Sequence, residues 1–312
     1  MRQRIAPALV LVSALTLLGA ASASGDSTLK CFGGHATIVG SGLITGTEGD
    51  DVIVGSDGAD TINALGGDDL VCALGGNDLS RGGLGDDHMD GGEGNDGHLG
   101  DVNADLPGTD QPGGNDVIIG GPGDDSAAGD HRSFSGPDIT GNGGDDLFIG
   151  GPGDDFFFGD SIGDGTISGR GGNDRALLGD GRDAAIGDHS AINNVGDAGD
   201  DYLDGGRGDD FFLVGDSSWT DLPATFDGAA GDDSLLGGGG NDALIIGDHN
   251  PPFGTLPGGG DDDLSGGPGD EALFGDHWAD AGEVTSGDGD DKCSGGAGTD
   301  SAASCEAITG VP

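Results

Sequence analysis

The sequence predicts an all-β solenoid built from short tandem repeats, and three observations support this prediction. Gly accounts for 73 of the 312 residues. A Gly-x-Asp pattern recurs every nine residues without a gap between residues 46 and 99, and an apolar residue usually follows two places after the Asp. A chain so rich in Gly and Asp would otherwise be disordered, because each Gly loses much backbone freedom on folding and like charges repel. Strict periodicity instead lets stacked repeats share one core.

After residue 99 the nonapeptides continue as seven pairs, which begin at residues 111, 141, 169, 196, 228, 257 and 286 and bring the total to twenty. Position six is Asp in nineteen of these repeats, and Glu271 takes the position in the other one. Carboxylates that recur at one register position are candidate metal ligands. The nineteen candidates are Asp51, Asp60, Asp69, Asp78, Asp87, Asp96, Asp116, Asp125, Asp146, Asp155, Asp174, Asp183, Asp201, Asp210, Asp233, Asp242, Asp262, Asp291 and Asp300.

The charge balance narrows the classes of partner. The chain has 58 acidic and 10 basic side chains, which gives a formal net charge of −48. Nucleic acids and anionic membranes normally attract Lys and Arg clusters, so this surface would be repelled by both. No later apolar run approaches the roughly 20 residues of a membrane-spanning helix, so membrane insertion is not expected either. Divalent cations are the natural partner.

The intact motif is clearest in residues 82–90, which read GGLGDDHMD. It resembles the haemolysin-type calcium-binding repeat of RTX proteins, and the resemblance extends over nearly all of the chain after residue 45. The resemblance implies a right-handed parallel β-roll solenoid with periodic loop inserts. In such a roll the first six residues of a repeat form a turn and the last three a strand, so two repeats make one coil. Residues 18 apart then stack, and Asp51 lies above Asp69 on one edge.

The resemblance also implies the cofactor, which is Ca²⁺ at multiple sites. Calcium takes six to eight oxygen ligands, and backbone carbonyls in Gly-rich turns together with Asp carboxylates supply them. Position eight is usually apolar, as in Ile53, Phe148, Phe212 and Leu244, so we expect its side chains to form the core. Burial of two side chains per coil stabilises the fold by roughly 1.5 to 3 kcal/mol each. Ordering the backbone of the same coil, about 18 residues, costs more than this in conformational entropy. We therefore expect calcium to drive folding.

The first residues resemble a secretory signal peptide. Arg2 and Arg4 precede an apolar run from Ala8 to Leu18, and Ala21-Ser22-Ala23 forms an Ala-x-Ala cleavage site. We expect cleavage near Ala23 and a secreted, extracellular product. The predicted segments are a signal peptide at 1–23, an N-terminal cap at 24–45, a tandem roll at 46–99, a roll of paired repeats with inserts at 100–303 and a tail at 304–312.

Four cysteines, Cys31, Cys72, Cys293 and Cys305, permit three disulfide pairings or free thiols. An exported chain keeps disulfides. Neighbours along a solenoid are also neighbours in sequence, which favours Cys31 with Cys72 and Cys293 with Cys305. Pairing across the array would require the two ends to meet.

The inserts between pairs contain 9 to 14 residues, and seven open with Gly-Asp. Because each insert follows one full coil, all seven should leave the roll on the same edge. Four continue with His131, His189, His249 and His277. A column of imidazoles could bind zinc or copper. The alternative is a polar turn whose Asp helps to hold calcium.

Aromatic residues gather in the inserts, including Phe134, Trp219, Phe226, Phe253 and Trp278. They either cap the open edge of the roll or form a face that binds an extracellular glycan or a surface protein.

One stretch, Gly159-Asp160-Ser161-Ile162-Gly163, matches the nucleophile-elbow pattern G-x-S-x-G. That pattern requires a helix after the Ser, and the residues that follow read GDGTISGRGG. We expect no enzyme. The expected function is calcium binding by an exported structural or cell-surface protein, and the alternative is a calcium-dependent adhesin or glycan-binding module that uses the inserts.

Overall fold

The structure is a computed structural model that describes residues 28–101, 111–133, 138–216, 225–226, 229–248, 259–275 and 289–311. The expected signal peptide lies outside these residues, and so do His249, His277, Phe134, Trp219, Phe253 and Trp278. The described residues form strands and turns but no helix.

Two long parallel sheets face each other and account for most of the strands. Sheet one contains β3 (Ile38–Val39), β5 (Val52–Ser56), β7 (Leu70–Leu74), β9 (His88–Asp90), β11 (Val117–Ile119), β14 (Leu147–Pro152), β17 (Arg175–Asp180), β20 (Tyr202–Arg207), β23 (Ser234–Leu236), β25 (Asp263–Pro268), β27 (Lys292–Ala297) and β29 (Ala307–Thr309). Sheet two contains β4 (Leu43–Thr45), β6 (Thr61–Gly66), β8 (Leu79–Leu84), β10 (Gly97–Leu99), β12 (Ser126–Ala128), β15 (Phe156–Phe158), β18 (Ala184–Ile186), β21 (Phe212–Val214), β24 (Ile245–Ile246), β26 (Ala272–Phe274) and β28 (Ser301–Ala303).

The chain alternates between the two sheets, so each pair of nonapeptides makes one coil. In sheet one, Ile53 pairs with Val71 and Val71 pairs with Met89, which is a step of one coil each time. After residue 100 the inserts lengthen the step, yet Ile118 still pairs with Phe148 in the same register. The predicted β-roll is therefore confirmed.

The core lies between the sheets and is built mainly from position eight. Ile53, Phe148 and Leu203 of sheet one and Ile62 and Phe157 of sheet two are fully buried. The rings of Phe148 and Phe157 stack across the core with centroids 5.1 Å apart. Burial of such side chains contributes roughly 1.5 to 3 kcal/mol each.

The prediction for position eight is wrong in two repeats, where one extra residue shifts the strand. Four residues separate Asp210 from the next Gly, whereas three separate Asp183 from Gly187. The strand pairing aligns Leu213 with Ala185, so Leu213 enters the core and Phe212 joins a second cluster on the other face of sheet two. In the same way Ile245 takes the core place expected for Leu244.

Two polar residues occupy core positions in sheet two. Ser80 and His98 pair with each other across β8 and β10, and both are buried. Burial lowers the pKa of His98 to about 4, so its imidazole is neutral at physiological pH.

A third parallel sheet, which we call the insert sheet, comes from the inserts. It contains β13 (Arg132–Ser133), β16 (Ile162–Ile167), β19 (Ser190–Asn194) and β22 (Thr225–Phe226). Each of these strands follows a strand of sheet two, which places the described inserts on one edge as predicted. We call this edge the insert edge and the opposite, uninterrupted edge the plain edge.

Disulfides close both ends of the described roll. Cys31 is bonded to Cys72 and Cys293 to Cys305, which confirms the favoured pairing. At the front, β1 (Lys30–Cys31) and β2 (Gly34–His35) form an antiparallel hairpin. The segments expected to form the cap and the tail also contribute strands β3, β4 and β29 to the two sheets.

Position four is Gly in all twenty repeats, and stacking on the preceding coil explains this from the third repeat onward. From Gly85 onward, a Cβ at this position would meet the carbonyl oxygen of the position-four Gly in the preceding coil, as Gly153 does above Gly123. At Gly49, in the first turn, the same space is open. Successive turns approach so closely that only Gly fits at this position. At residues such as Gly153 the positive φ also favours Gly.

Candidate metal centre

The position-six carboxylates form two buried columns, one along each edge of the roll. All nineteen Asp residues and Glu271 are at most 6% exposed. Along the insert edge, Oδ1 of Asp69 accepts the backbone amide of Asp51 at 2.7 Å, and Oδ1 of Asp87 accepts that of Asp69 at 2.8 Å. Along the plain edge, Asp78 accepts the amide of Asp60 in the same way at 2.7 Å. The structure thus brings the predicted residues together as stacks.

The second oxygen of most of these carboxylates has no hydrogen-bond donor, although Oδ2 of Asp51 and of Asp60 accepts the amide of Thr47 and of Ser56. Oδ2 is buried without a partner in sixteen of them, for example in Asp87, Asp155 and Asp201. A Cβ on Gly205 would meet Oδ2 of Asp210 and the carbonyl oxygen of Gly237, and Gly187 lies in the same way below Asp201 and Gly215. A carboxylate and a carbonyl oxygen are both acceptors and cannot satisfy each other. A cation can, so these atoms fit calcium.

No basic side chain neutralises the columns within the described residues. The ion pairs there join Arg170 with Asp197 and Arg207 with Asp180, and the His189 ring lies near Asp160, so no position-six carboxylate takes part. Burial, followed by the charges of neighbouring aspartates, raises the pKa of Asp155 to about 7. Ionisation of these carboxylates is therefore costly in the absence of bound cations.

The insert edge carries a second set of buried aspartates, which follow the Gly that opens each insert. The side chains of Asp101, Asp130, Asp160, Asp188, Asp216 and Asp248 are at most 1% exposed. Each of these six aspartates accepts the amide of the Gly at position four of the next repeat, as Asp188 does from Gly199 at 3.0 Å and Asp101 from Gly114 at 2.8 Å. This bond closes the base of the insert.

These insert aspartates approach the position-six column closely. Three groups have carboxylate oxygens that all lie within 4.8 Å of one another, and the groups are Asp160 with Asp174 and Asp188, Asp188 with Asp201 and Asp216, and Asp216 with Asp233 and Asp248. Burial, then the charges of Asp201 and Asp160, raise the pKa of Asp188 well above its ordinary value. The recurring Gly-Asp signature was visible in the sequence, but its Asp was not among the nineteen predicted ligands.

The described histidines of the inserts are buried and do not belong to these groups. Nε2 of His189 lies 3.2 Å from the carbonyl oxygen of Gly169, and its Nδ1 lies 3.8 Å from Oδ2 of Asp160. Burial lowers the pKa of His131. The groups of three ligands found among the described residues contain only Asp, so a zinc or copper column finds no support there.

Ser161 does not sit in a nucleophile elbow. Its side chain is fully buried, and strand β16 follows it where the elbow pattern needs a helix. The match is explained by the abundance of Gly in the chain.

A family model described as "RTX calcium-binding nonapeptide repeat (4 copies)" matches the chain in seven segments, which together cover more than half of it. The segments are residues 45–80, 81–97, 113–130, 138–161, 195–216, 225–248 and 283–302. The chain belongs to the RTX calcium-binding repeat family. RTX repeats bind calcium, and the buried carboxylate columns fit such ions. RTX repeat proteins are typically exported.

No curated protein and no solved structure matches the chain significantly. Within the described part of the chain, no helix has the length and apolar character needed to cross a membrane.

Proposed function

We propose that this RTX chain is an exported structural or cell-surface protein without catalytic activity, whose roll folds as calcium binds. The ions would lie between successive turns, held by the position-six carboxylates and by turn carbonyls such as that of Gly237. The observation that supports this most directly is the pair of buried columns in which most of the second carboxylate oxygens have no donor.

The energetics favour ions as part of the fold. Stacked carboxylates lie about 5 Å apart, and each such pair repels by roughly 1 to 3 kcal/mol at an effective dielectric between about 20 and 80. Burial of an unpaired charge adds a further penalty. Calcium between the turns neutralises the repelling carboxylates and pairs the buried charges, so calcium binding and folding are coupled.

A far-ultraviolet circular dichroism titration of the purified chain tests this coupling. We expect a disordered spectrum in chelator and a cooperative gain of strand signal in millimolar calcium, with stoichiometry taken from equilibrium dialysis. The same strand signal in chelator as in calcium would contradict the proposal. For export, the first residue of the secreted chain should be Ser24, and an intact Met1 would contradict cleavage.

The second candidate is a calcium-dependent glycan-binding module, and one groove favours it. A cavity of about 300 Å³ beside insert strand β16 is lined by residues of sheet two and of that strand, namely His98, Ser126, Ala127, Ala128, Phe156, Phe158 and Ile162. The two Phe rings meet edge to face, with centroids 4.6 Å apart. An apolar cleft with a few polar groups suits a small ligand or a sugar unit.

Binding of labelled cell-wall polysaccharide tests this candidate. We expect retention only in calcium, and a loss of at least tenfold in affinity for Phe158→Ala. Phe211→Ala, which removes a ring that is 42% exposed outside the groove, is the control. Equal binding by both variants would remove the groove from consideration.

A further inference from the structure

The turn on the insert edge is a nonapeptide turn that the insert has split in two. On the plain edge, Gly150 and Gly151 open a turn that continues directly to Asp155. On the insert edge, Gly159 and Asp160 open the turn, the insert intervenes, and Gly171 and Gly172 resume it before Asp174. Asp therefore stands at position two, where the plain edge usually has Gly. Each interrupted turn gains one carboxylate.

The added carboxylates point into the roll. Oδ1 of Asp188 and Oδ1 of Asp216 are buried and have no hydrogen-bond partner, although the second oxygen of each accepts a Gly amide. A Cβ on Gly171 would meet Oδ1 of Asp188 and would lie 2.9 Å from Oδ2 of Asp160. Two carboxylates from successive coils thus converge over a residue without a side chain.

The size of these groups suits calcium. Calcium–oxygen distances of about 2.3 to 2.6 Å place ligand oxygens on opposite sides of one ion roughly 4.6 to 5.2 Å apart. The oxygens within each three-Asp group lie within 4.8 Å of one another. Magnesium retains several waters and is seldom held by an all-protein cage, so a buried group of three carboxylates suits calcium better.

Sharing between groups balances the charge. Asp188 and Asp216 each belong to two of the three groups, whereas Asp174, Asp201 and Asp233 each belong to one. Along a continuous row, each ion therefore receives one whole position-six carboxylate and half of two insert carboxylates. That total is two negative charges, which matches one divalent cation for each coil.

We propose that the insert edge holds a row of buried calcium sites, each built from two insert aspartates and one position-six Asp, and that these sites bind calcium more tightly than those of the plain edge. Affinity at oxygen sites rises with the number of charged ligands. This inference rests on the proposed calcium-dependent fold, and it deepens it by assigning ligands outside the nonapeptide consensus and two classes of affinity.

Three isosteric variants of the full chain test the proposal by calcium titration calorimetry. Asp188→Asn keeps an oxygen that can accept the Gly199 amide but removes a charge shared by two groups. Asp183→Asn removes one position-six charge on the plain edge of the neighbouring coil. Asp200→Asn removes an exposed charge from the same coil as Asp201, and so controls for net charge.

We expect two ions of the tight class to bind at least tenfold more weakly in Asp188→Asn. Asp183→Asn should leave the tight class intact and affect weaker ions only, and Asp200→Asn should resemble the wild type. Circular dichroism in saturating calcium checks that each variant folds. If Asp188→Asn does not fold, Asp248→Asn replaces it, because Asp248 belongs to the described group with Asp216 and Asp233 and should weaken the ion held there.

Two kinds of failure are distinguishable. If the wild-type chain neither binds calcium nor gains strand signal, the proposed function fails. If the wild type does both, but Asp188→Asn (or its replacement Asp248→Asn) titrates like Asp200→Asn, the calcium-dependent roll stands and the insert-edge sites are overturned.

Discussion

Two adjacent glycines provide a sharp test of how the turns stack. In the repeat that begins at residue 237, a Cβ on Gly239 would have no atom within 4 Å, whereas a Cβ on Gly240 would meet the carbonyl oxygen of Gly208 in the preceding coil. The two residues are adjacent in sequence but differ in what lies below them and in backbone conformation, since only Gly240 has a positive φ. We therefore expect Gly240→Ala to be strongly destabilising and Gly239→Ala to be nearly neutral.

The expected magnitudes follow from two terms. Gly240 has a φ of +154°, which side-chain-bearing residues rarely adopt, and a left-handed conformation costs roughly 1 to 2 kcal/mol. Displacing the stacked turn adds about 1 to 3 kcal/mol, as overpacking does elsewhere. Gly240→Ala should thus lose about 2 to 5 kcal/mol. Gly239→Ala should change stability by less than about 1 kcal/mol, and the loss of backbone freedom in the unfolded chain could make it stabilising.

The assay is urea unfolding followed by circular dichroism, in the same saturating calcium concentration for both variants. Saturating calcium is necessary because bound ligand contributes to the measured stability. A Gly240→Ala variant no less stable than Gly239→Ala would refute the close stacking of position four, and with it our explanation of why that position is always Gly.

Three further predictions follow from the core, the front disulfide and the carboxylate columns. Phe148→Ala should destabilise the calcium-bound roll by about 3 to 5 kcal/mol, because it empties a fully buried site stacked on Phe157; urea unfolding that shows a loss below about 1 kcal/mol would contradict this. Replacing Cys31 and Cys72 by Ser should cost about 4 kcal/mol by the chain-entropy estimate, since the disulfide closes a separation of 41 residues, and an unchanged melting temperature would contradict it. In chelator, strand signal should be greater at pH 4 than at pH 8. Burial raises the pKa of Asp155 to about 7 in the fold from 3.8, so its stabilising contribution is complete below about pH 4 and is lost as the pH rises through 7. Strand signal in chelator that is flat or rises between pH 4 and pH 8 would contradict this.

The sequence predicted the roll well because one period sets both the turns and the faces of the strands. It failed where the period changes by one residue. The extra residue between Asp210 and Gly215 leaves the amide of Phe211 on the carbonyl of Asp183, as in other repeats, but rotates the rest of the strand. Leu213 then faces the core. The prediction placed the core residue two positions after the Asp, and it could not reveal this shift because the register of the strand is set by its pairing with the neighbouring strand.

The position-six columns could be predicted from the sequence. For the second set of aspartates, the sequence indicated their recurrence and their common edge but not their contacts. The Gly-Asp opening of the inserts stood out, and its common edge was predicted correctly. Yet Asp188 and Asp201 are 13 residues apart in sequence, and only the path of the insert brings their carboxylates together. The insert sequences do not follow the nonapeptide period, so neither the insert sheet nor these carboxylate contacts could be derived from the spacing of residues.

The closed base explains how inserts of different length coexist with an unchanged roll. Asp188 and Gly199 lie 11 residues apart and Asp216 and Gly231 lie 15 apart, yet both pairs form the same hydrogen bond at 3.0 to 3.1 Å. The two ends of the inserts whose bases the structure describes are therefore held at the separation of an ordinary turn, although the inserts differ in length. The Asp and the Gly at the base are fixed by the roll and, in our proposal, by calcium as well.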